Sequence, residues 1–364
     1  MYDVAIIGAG PAGATLARLL GRRYRVLLLE CRRLDLAPGP GVALKCCGGL
    51  LSLAAQEELG KSGLGVPKEI LVGPQLFSVR TLDIDNGLER HYQRPYVNLD
   101  REKFDRWLVS LIPPGVEVRF GCRLRRLEQQ PDRVRIGFSD GKNEYVVEAG
   151  LVVGADGAGS PVRRLLGLPA ASRRYIAIQE RFAAGARPAS SFTALFDSSI
   201  TDFYGWVIPK DGELLAGVAL APGVAADAAF GRFKARLLEK RLIPDGAPLS
   251  REGALIIRPQ RFADIQTGNG RVLLAGEAAG WISPSTAEGF SFAFRSAALA
   301  AQALEAGPRE AAERYRRLTR PLCLSLFGKL LKSPAMYWPY LRGLAMGSGL
   351  TALTLRPEMA RSAE

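Results

Sequence analysis

His91 is the only histidine in the chain. A histidine-based metal site is therefore not expected. A Ser-His-Asp relay would have to rest on that one residue, with nothing beside it in sequence to support it. Cysteine is sparse and odd in number: Cys31, Cys46, Cys47, Cys122 and Cys323 make five. With no signal-peptide pattern, that count argues for a reducing interior and so for the cytoplasm. The N-terminus runs straight into an apolar strand, which speaks against a cleaved targeting segment. No uninterrupted apolar stretch reaches the roughly 18 residues that mark a membrane-spanning helix. Acidic residues are in deficit, 36 against 49 Lys and Arg, leaving a formal charge of +13. Nucleic acid, an anionic membrane surface, or an anionic substrate or cofactor could use such a charge. The basic residues are scattered and form no nucleic-acid module, so nucleic acid is not expected as a partner. What is abundant is apolar residues, at 48%, and glycine, with 40 in 364 residues. This composition suits a globular chain of about two domains with many tight strand-to-helix turns.

The first thirty residues organise the rest. An apolar run, Tyr2 to Ile7, leads into Gly8-Ala9-Gly10-Pro11-Ala12-Gly13. A helical pattern follows from Ala14 to Leu20, then a second apolar run from Arg25 to Leu29 that ends at Glu30. Strand, glycine turn, helix, strand and acid in this order form a dinucleotide-binding fingerprint in its required context. Gly8 allows the turn, Gly10 lets the backbone approach a pyrophosphate, and Gly13 lets the helix lie close to the strand. The helix N-terminus offers free N–H groups to phosphate. Glu30 stands where a carboxylate can take ribose hydroxyls. The competing reading is a tight turn with no ligand.

Residues 31 to 50 read as loop, punctuated by Pro38-Gly39-Pro40-Gly41, and lead to Lys45-Cys46-Cys47-Gly48-Gly49. The adjacent cysteines could form a vicinal disulfide, sit as buried thiols, or serve an active site. Leu51 to Leu59 looks helical with Ser52 as its cap. Short β-like runs follow from Val72 to Ile84, then an Asn86-Gly87 turn and a strand from Leu88 to Tyr96. Asn98 or Asp100 can cap a helix whose apolar face is Phe104, Trp107, Leu108 and Leu111. Arg101 falls in its first turn, where a cation is unfavourable without an anion to meet. Strands are expected over 116–120, 123–129, 134–138 and 144–147, with a separate buried strand at Leu151-Val152-Val153. That strand enters Gly154-Ala155-Asp156-Gly157 and a short helix, Pro161 to Leu166, repeating the strand–glycine–acid logic.

Residues 170 to 264 have a different texture: strands at 176–182, 191–196, 203–208, 213–219 and 251–257, and a helix over Phe230–Leu242. Phe192, Phe196, Phe203, Tyr204 and Trp206 read as a pocket wall or as plain core. A third strand–glycine–acid site, Gly276-Glu277-Ala278-Ala279-Gly280, precedes a loop from Trp281 to Glu288 and a long helix over Gly289–Leu304. From 309 onward the tail is apolar and basic, with ten Lys or Arg against four Asp or Glu. It suits an interfacial helix, a lid over an apolar pocket, or a helical subdomain packed on the main body.

The three glycine–acid sites together resemble the glutathione-reductase-like flavoproteins of the aromatic-hydroxylase type. The resemblance implies an α/β fold: a Rossmann FAD domain, an inserted antiparallel-sheet substrate domain, and a helical C-terminal tail. It divides the chain into FAD-binding parts at 1–75, 98–169 and 265–307, substrate parts at 76–97 and 170–264, and a helical region at 308–364. FAD would be held by Gly8, Gly10, Pro11, Ala12, Gly13, Glu30, Lys45, Arg101, Asp156, Gly276, Glu277 and Gly289. Glu277 stands where the group usually has Asp.

Within the group the sequence looks like the geranylgeranyl reductase family. Lys45-Cys46-Cys47-Gly48-Gly49 resembles that family's cysteine-containing segment near the flavin. Tyr204-Gly205-Trp206-Val207-Ile208-Pro209 resembles its Tyr-x-Trp-x-x-Pro signature. Pro284 through Gly289 matches the loop beside the flavin, with Ala287 at its first glycine position. Flavin-dependent halogenases carry a related Trp-x-Trp-x-Ile-Pro segment, in which Tyr204 would replace the first Trp. The resemblance implies Cys46, Cys47, Tyr204 and Trp206 as catalytic residues and an apolar small-molecule or lipid substrate. There is no second GxGxxG, so electrons are expected from transiently bound NAD(P)H, a separate reductase, ferredoxin or another external donor. The implied reaction is reduction of carbon–carbon double bonds of an isoprenoid by flavin hydride transfer. The alternative is an FAD-dependent monooxygenase, a hydroxylase or epoxidase working through a C4a-hydroperoxyflavin. A flavin-free structural or lipid-surface protein on the same fold is a third reading. The expected location is cytoplasmic, with peripheral contact at the inner face of the membrane as a further expectation.

Overall fold

The computed structural model describes residues 1–37, 45–185, 191–305 and 307–354. Two eight-stranded sheets organise it. The main path of the first runs Gly268–Asn269, Val272–Leu274, Glu144–Gly154, Tyr2–Ile7, Val26–Glu30 and Glu117–Phe120 from edge to edge. Its central pairings are parallel. Val26–Glu30 and Val272–Leu274 are buried along their whole length, as strands covered on both faces must be. Helices Pro11–Leu20 and Phe290–Leu304 cover one face, and Ala293, Ala297 and Ala300 are buried there because only small side chains let the backbones approach.

The strands expected separately at 144–147 and 151–153 are one strand, Glu144–Gly154. Its first half pairs antiparallel with Val134–Ser139, and its second half pairs parallel with Tyr2–Ile7. The polar-looking interruption at Glu148–Gly150 is the changeover between the two ladders, so no turn is needed there.

The second sheet runs Ser250–Ile257, Arg174–Ala183, Glu213–Leu220, Gly205–Lys210, Phe192–Phe196, Leu76–Asp83, Leu88–Asn98 and Leu50–Leu51. It is antiparallel except where Phe192–Phe196 meets Leu76–Asp83 in parallel. Those two strands come from distant parts of the chain, so no hairpin forces them antiparallel. The helix behind this sheet spans Ala226–Glu239, earlier than the expected 230–242. Arg241 at φ +52 marks the left-handed turn that follows its end.

The tail packs on both sheets. In helix Arg320–Lys332, Leu322 and Leu326 join the core of the first sheet. Arg342, in helix Pro339–Gly347, reaches Asp83 at 2.9 Å and Asp85 at 2.5 Å beside the second. Leu331, Trp338, Tyr340 and Leu350 stay exposed, so the tail is a packed subdomain with an apolar outer side. The glycine–proline punctuation at Pro38–Gly41 and the tail beyond Thr354 lie outside the described residues. Among the described residues, no helix is long and apolar enough to cross a membrane.

Candidate functional site

One cavity of about 690 Å³ runs between the two sheets, from the first glycine turn to the aromatic face of the second sheet. It is lined by all the residues expected to hold FAD or to act in catalysis except Gly13, and of the expected aromatic wall Phe196 lies outside it. Gly13 works from behind: a Cβ there would fall 1.8 Å from the Gly8 carbonyl oxygen. Gly8 has φ +102, and a Cβ on it would fall 2.5 Å from the Ala155 oxygen. Gly10 is the opposite case, with nothing within 4 Å of a Cβ placed on it. Helix Pro11–Leu20 starts there with no side-chain cap and no acid in its first turn. Its N–H groups and dipole therefore face the cavity unopposed, which is what a pyrophosphate needs. This open cradle fits FAD.

Glu30 closes the second strand and folds back on the turn, accepting from Ala9 N at 2.7 Å and Arg32 N at 2.8 Å. Burial pushes its carboxyl up, but the Arg32 guanidinium and the two backbone donors more than offset that and hold it below the ordinary value. The charges then alternate through the interior. Arg32 also bonds Asp105 at 2.7 Å, Asp105 accepts from Arg101 Nε at 3.0 Å, and Arg101 Nη1 donates to Cys47 Sγ at 3.3 Å. The Arg101 guanidinium lies 4.7 Å over the Phe290 ring. Asp100 makes this possible by capping the helix of Arg101, accepting from Glu102 N and Lys103 N.

Asp156 accepts from Ser160 Oγ at 2.6 Å and Val162 N at 2.9 Å, so it shapes the second glycine turn as well as lining the cavity. Burial pushes its carboxyl up to about 6 against these donors. Glu277 has a 3.3 Å bond from Ile257 N. Burial raises its pKa, and the charges of Lys45 and Arg101 pull it back. Gly276 sits at φ +59, and a Cβ there would crowd Ala12 at 2.9 Å. Gly289 opens helix Phe290–Leu304, bringing a second helix N-terminus to the cavity.

At the other end, all five cysteines are free thiols, so the vicinal-disulfide alternative is not what the structure holds. Cys46 packs among the aromatic residues of the second sheet, while Cys47 packs with Phe104 and Phe290. Burial, reinforced by Cys47 and Glu252, pushes the Cys46 thiol up to about 12. Tyr204 donates to the Thr286 carbonyl at 2.9 Å, and its ring stands edge-on to Trp206 at 5.8 Å. Burial raises the Tyr204 phenol far above its ordinary value, so it remains a neutral donor. Trp206 lies across Gly217, where a Cβ would fall 2.6 Å from the ring. Ala287, at the loop's first glycine position, has φ +52, a backbone conformation that favours glycine.

Sequence reasoning missed several participants. Asp105 and Arg32 look like ordinary surface charges in sequence, although Asp105 lies one helical turn after Arg101. Gln179 lies in the strand expected at 176–182, in which the sequence singles out no residue. Tyr337 comes from the tail to donate to the Ser285 carbonyl at 2.5 Å, with its ring 4.1 Å from the Arg258 guanidinium. Among the described residues, no group of His, Cys, Asp and Glu side chains is placed to hold a metal ion.

A family model described as an FAD binding domain matches residues 52–213. The chain is 39% identical to protein CbrA of Escherichia coli O6:H1 over 350 residues, covering 96% of this chain and 94% of that one. Its fold is similar to a geranylgeranyl bacteriochlorophyll reductase-like protein of Thermoplasma acidophilum, with TM-score 0.77 at 19% identity, covering 93% of this chain and 97% of that one. It is also similar to the p-nitrophenol 4-monooxygenase PnpA of Pseudomonas putida, with TM-score 0.68 at 21% identity, covering 100% and 92%. The uncapped glycine turn, the FAD-domain match and the near full-length identity agree: the chain is an FAD-binding flavoprotein of the aromatic-hydroxylase-like fold and belongs to the family of protein CbrA.

Proposed function

We propose that this protein is an FAD-dependent oxidoreductase that hydroxylates or epoxidises an apolar small molecule. The carrying observation is the continuity of the cavity, which joins the pyrophosphate cradle at Gly10 to the aromatic wall of Trp206 and Phe192. FAD supplies the two-electron chemistry and the activation of oxygen. The chain's residues bind, orient and exclude water. The Pro11 and Phe290 helix N-termini would hold the cofactor's anionic and polar parts, Glu30 would take ribose hydroxyls, and Glu277 would be a further polar contact to it. Cys47 and Arg101 would line the cofactor's space, and Cys46, Tyr204 and Trp206 would bound the substrate. Cys46 stays protonated and so acts by packing or by lending a proton, not as a nucleophile. The likeness to a monooxygenase supports oxygen transfer, and so does a wall that is not purely hydrocarbon.

The second reading is saturation of an isoprenoid double bond, favoured by the likeness at TM-score 0.77 to a geranylgeranyl reductase-like protein. In either case electrons come from NAD(P)H, a reductase or ferredoxin. The exposed apolar residues Leu331, Trp338, Tyr340 and Leu350, beside Lys332, suit peripheral contact with an anionic membrane. The deciding experiment gives reduced holoprotein a panel of apolar phenols and isoprenoids, with and without oxygen. A product heavier by about 16 Da that needs oxygen supports hydroxylation or epoxidation. A gain of about 2 Da per double bond without oxygen establishes the reductase reading instead.

A further inference from the structure

The face of the second sheet that bounds the cavity is apolar over most of its area, with Phe192, Ile208, Ala177 and Ala254 along it. At one place it is not. Trp206 pairs in register with Gly217, and Gly217 pairs with Gln179. Cross-strand partners share a face, so the indole and the amide project on the same side, two strands apart. Gly217 has no side chain to separate them, and the indole lies over it, with Nε1 only 2.7 Å from where a Cβ would stand. Both side chains line the cavity and are more than nine-tenths buried, Trp206 at 8% exposure and Gln179 at 1%. Neither Trp206 Nε1 nor Gln179 Oε1 has a hydrogen-bond partner.

The amide's orientation is settled by chemistry. Its other atom, Nε2, lies 2.9 Å from Glu252 Oε2, and only an NH2 can donate to a carboxylate. The atom left over is therefore the carbonyl oxygen. An unpaired buried donor and an unpaired buried acceptor each cost free energy unless something in the cavity completes them.

We propose that Trp206 Nε1 and Gln179 Oε1 form a seat for one neutral hydroxyl, alcoholic or phenolic, on an otherwise apolar substrate. A hydroxyl accepts from the indole N–H and donates to the amide oxygen, satisfying both with one group. An ether or ester oxygen accepts only and leaves Gln179 unpaired. A phosphate or carboxylate meets the Gln179 oxygen and the Glu252 carboxylate behind it, which repel it. A cation gains nothing from the indole donor. Cys46 packs in the same cluster as Trp206, which puts the seat on the cysteine side of the substrate space.

The inference rests on the reading of the cavity as a site for an apolar small molecule, and the test separates the two. FAD-loaded protein is titrated with 4-octylphenol, 4-octylanisole and octylbenzene, following the flavin absorbance. The expected result is a phenol affinity about tenfold above that of the methyl ether. Trp206→Phe removes the donor together with part of the indole's bulk, so the readout is the ratio of phenol to methyl-ether affinity within the variant, which lost bulk alone leaves in place, and that ratio should fall to near one. Gln179→Leu should do the same from the acceptor side. Because it also strips Glu252 of a partner, its folding is checked by flavin content, and Trp206→Phe is the deciding variant. Equal wild-type affinity for all three probes overturns the seat and leaves the apolar site standing. So does a preference that survives Trp206→Phe. Failure of all three probes to bind overturns the apolar reading and the seat with it.

Discussion

Arg101 Nη1 donates to the Cys47 sulfur at 3.3 Å while its Nε holds Asp105 Oδ1 at 3.0 Å. One guanidinium thus ties the cysteine loop to the buried charge chain that ends at Glu30 and the glycine turn. Lysine has a single point of charge and cannot serve both partners. Arg101→Lys should weaken FAD binding about tenfold in a fluorescence titration, by loosening Cys47 and Glu30 together. An unchanged affinity would remove Arg101 from the cofactor site.

Gly10→Val should abolish FAD binding and leave the apoprotein intact. Gly10 has φ −71 and ψ −175, an extended geometry open to any residue, and no atom lies within 4 Å of an added Cβ. The valine therefore fills only space meant for the cofactor. Thermal unfolding of the apoprotein should shift by no more than about 2 °C. Full flavin occupancy in the variant would sink the assignment of this turn.

The two cysteines should behave differently. With its thiol pushed up to about 12 by burial, Cys46 carries a thiolate fraction of about one in ten thousand at pH 8, and peptide mapping should show it resisting iodoacetamide in the folded state. The sign for stability follows. The folded state keeps a proton that the unfolded chain loses from pH 9 upward, so this stabilising contribution is whole below about 9 and declines as pH rises toward 12. Cys46→Ala should lessen that alkaline loss, measured by urea unfolding at two pH values. It should also affect turnover differently from Cys47→Ala, because the two side chains pack in separate clusters.

Ala287→Gly should stabilise the protein. Ala287 has φ +52, a conformation that costs an L side chain about 1–2 kcal/mol. Glycine relieves that and gives back part of the gain as chain entropy, for a net of about 0.5–1 kcal/mol in chemical denaturation. A destabilised variant would mean that the methyl group packs usefully against the loop.

Arg342→Leu should release the tail from the second sheet. Asp83, wholly buried, would lose its guanidinium partner, a loss of about 3–5 kcal/mol. Limited proteolysis should then cut near helix Pro339–Gly347 first. Equal protease resistance in the variant would show that apolar contacts of Tyr337 and Met346 hold the tail alone.

The glycine turns that open on the cavity were readable from local sequence because their physics is local. A strand, a glycine at positive φ, and a helix N-terminus are contiguous in the chain, so Gly8 to Gly13, Asp156 and Gly276 announce themselves. The capping of the Arg101 helix by Asp100 and the turn at Asn86-Gly87 were legible for the same reason. What only the tertiary structure decided depends on which distant strands share a face. Trp206 and Gln179 meet across Gly217 through the register of three strands, and no spacing in the chain encodes that. The pairing of Arg32 with Asp105, the parallel contact of Leu76–Asp83 with Phe192–Phe196, and the reach of Tyr337 to Ser285 are likewise products of packing. The sequence by itself determined the strand–glycine turn–helix start at Gly8 to Gly13. Burial, by stripping water from Cys46, Tyr204, Gln179 and Trp206, decided what the other end of the cavity can recognise.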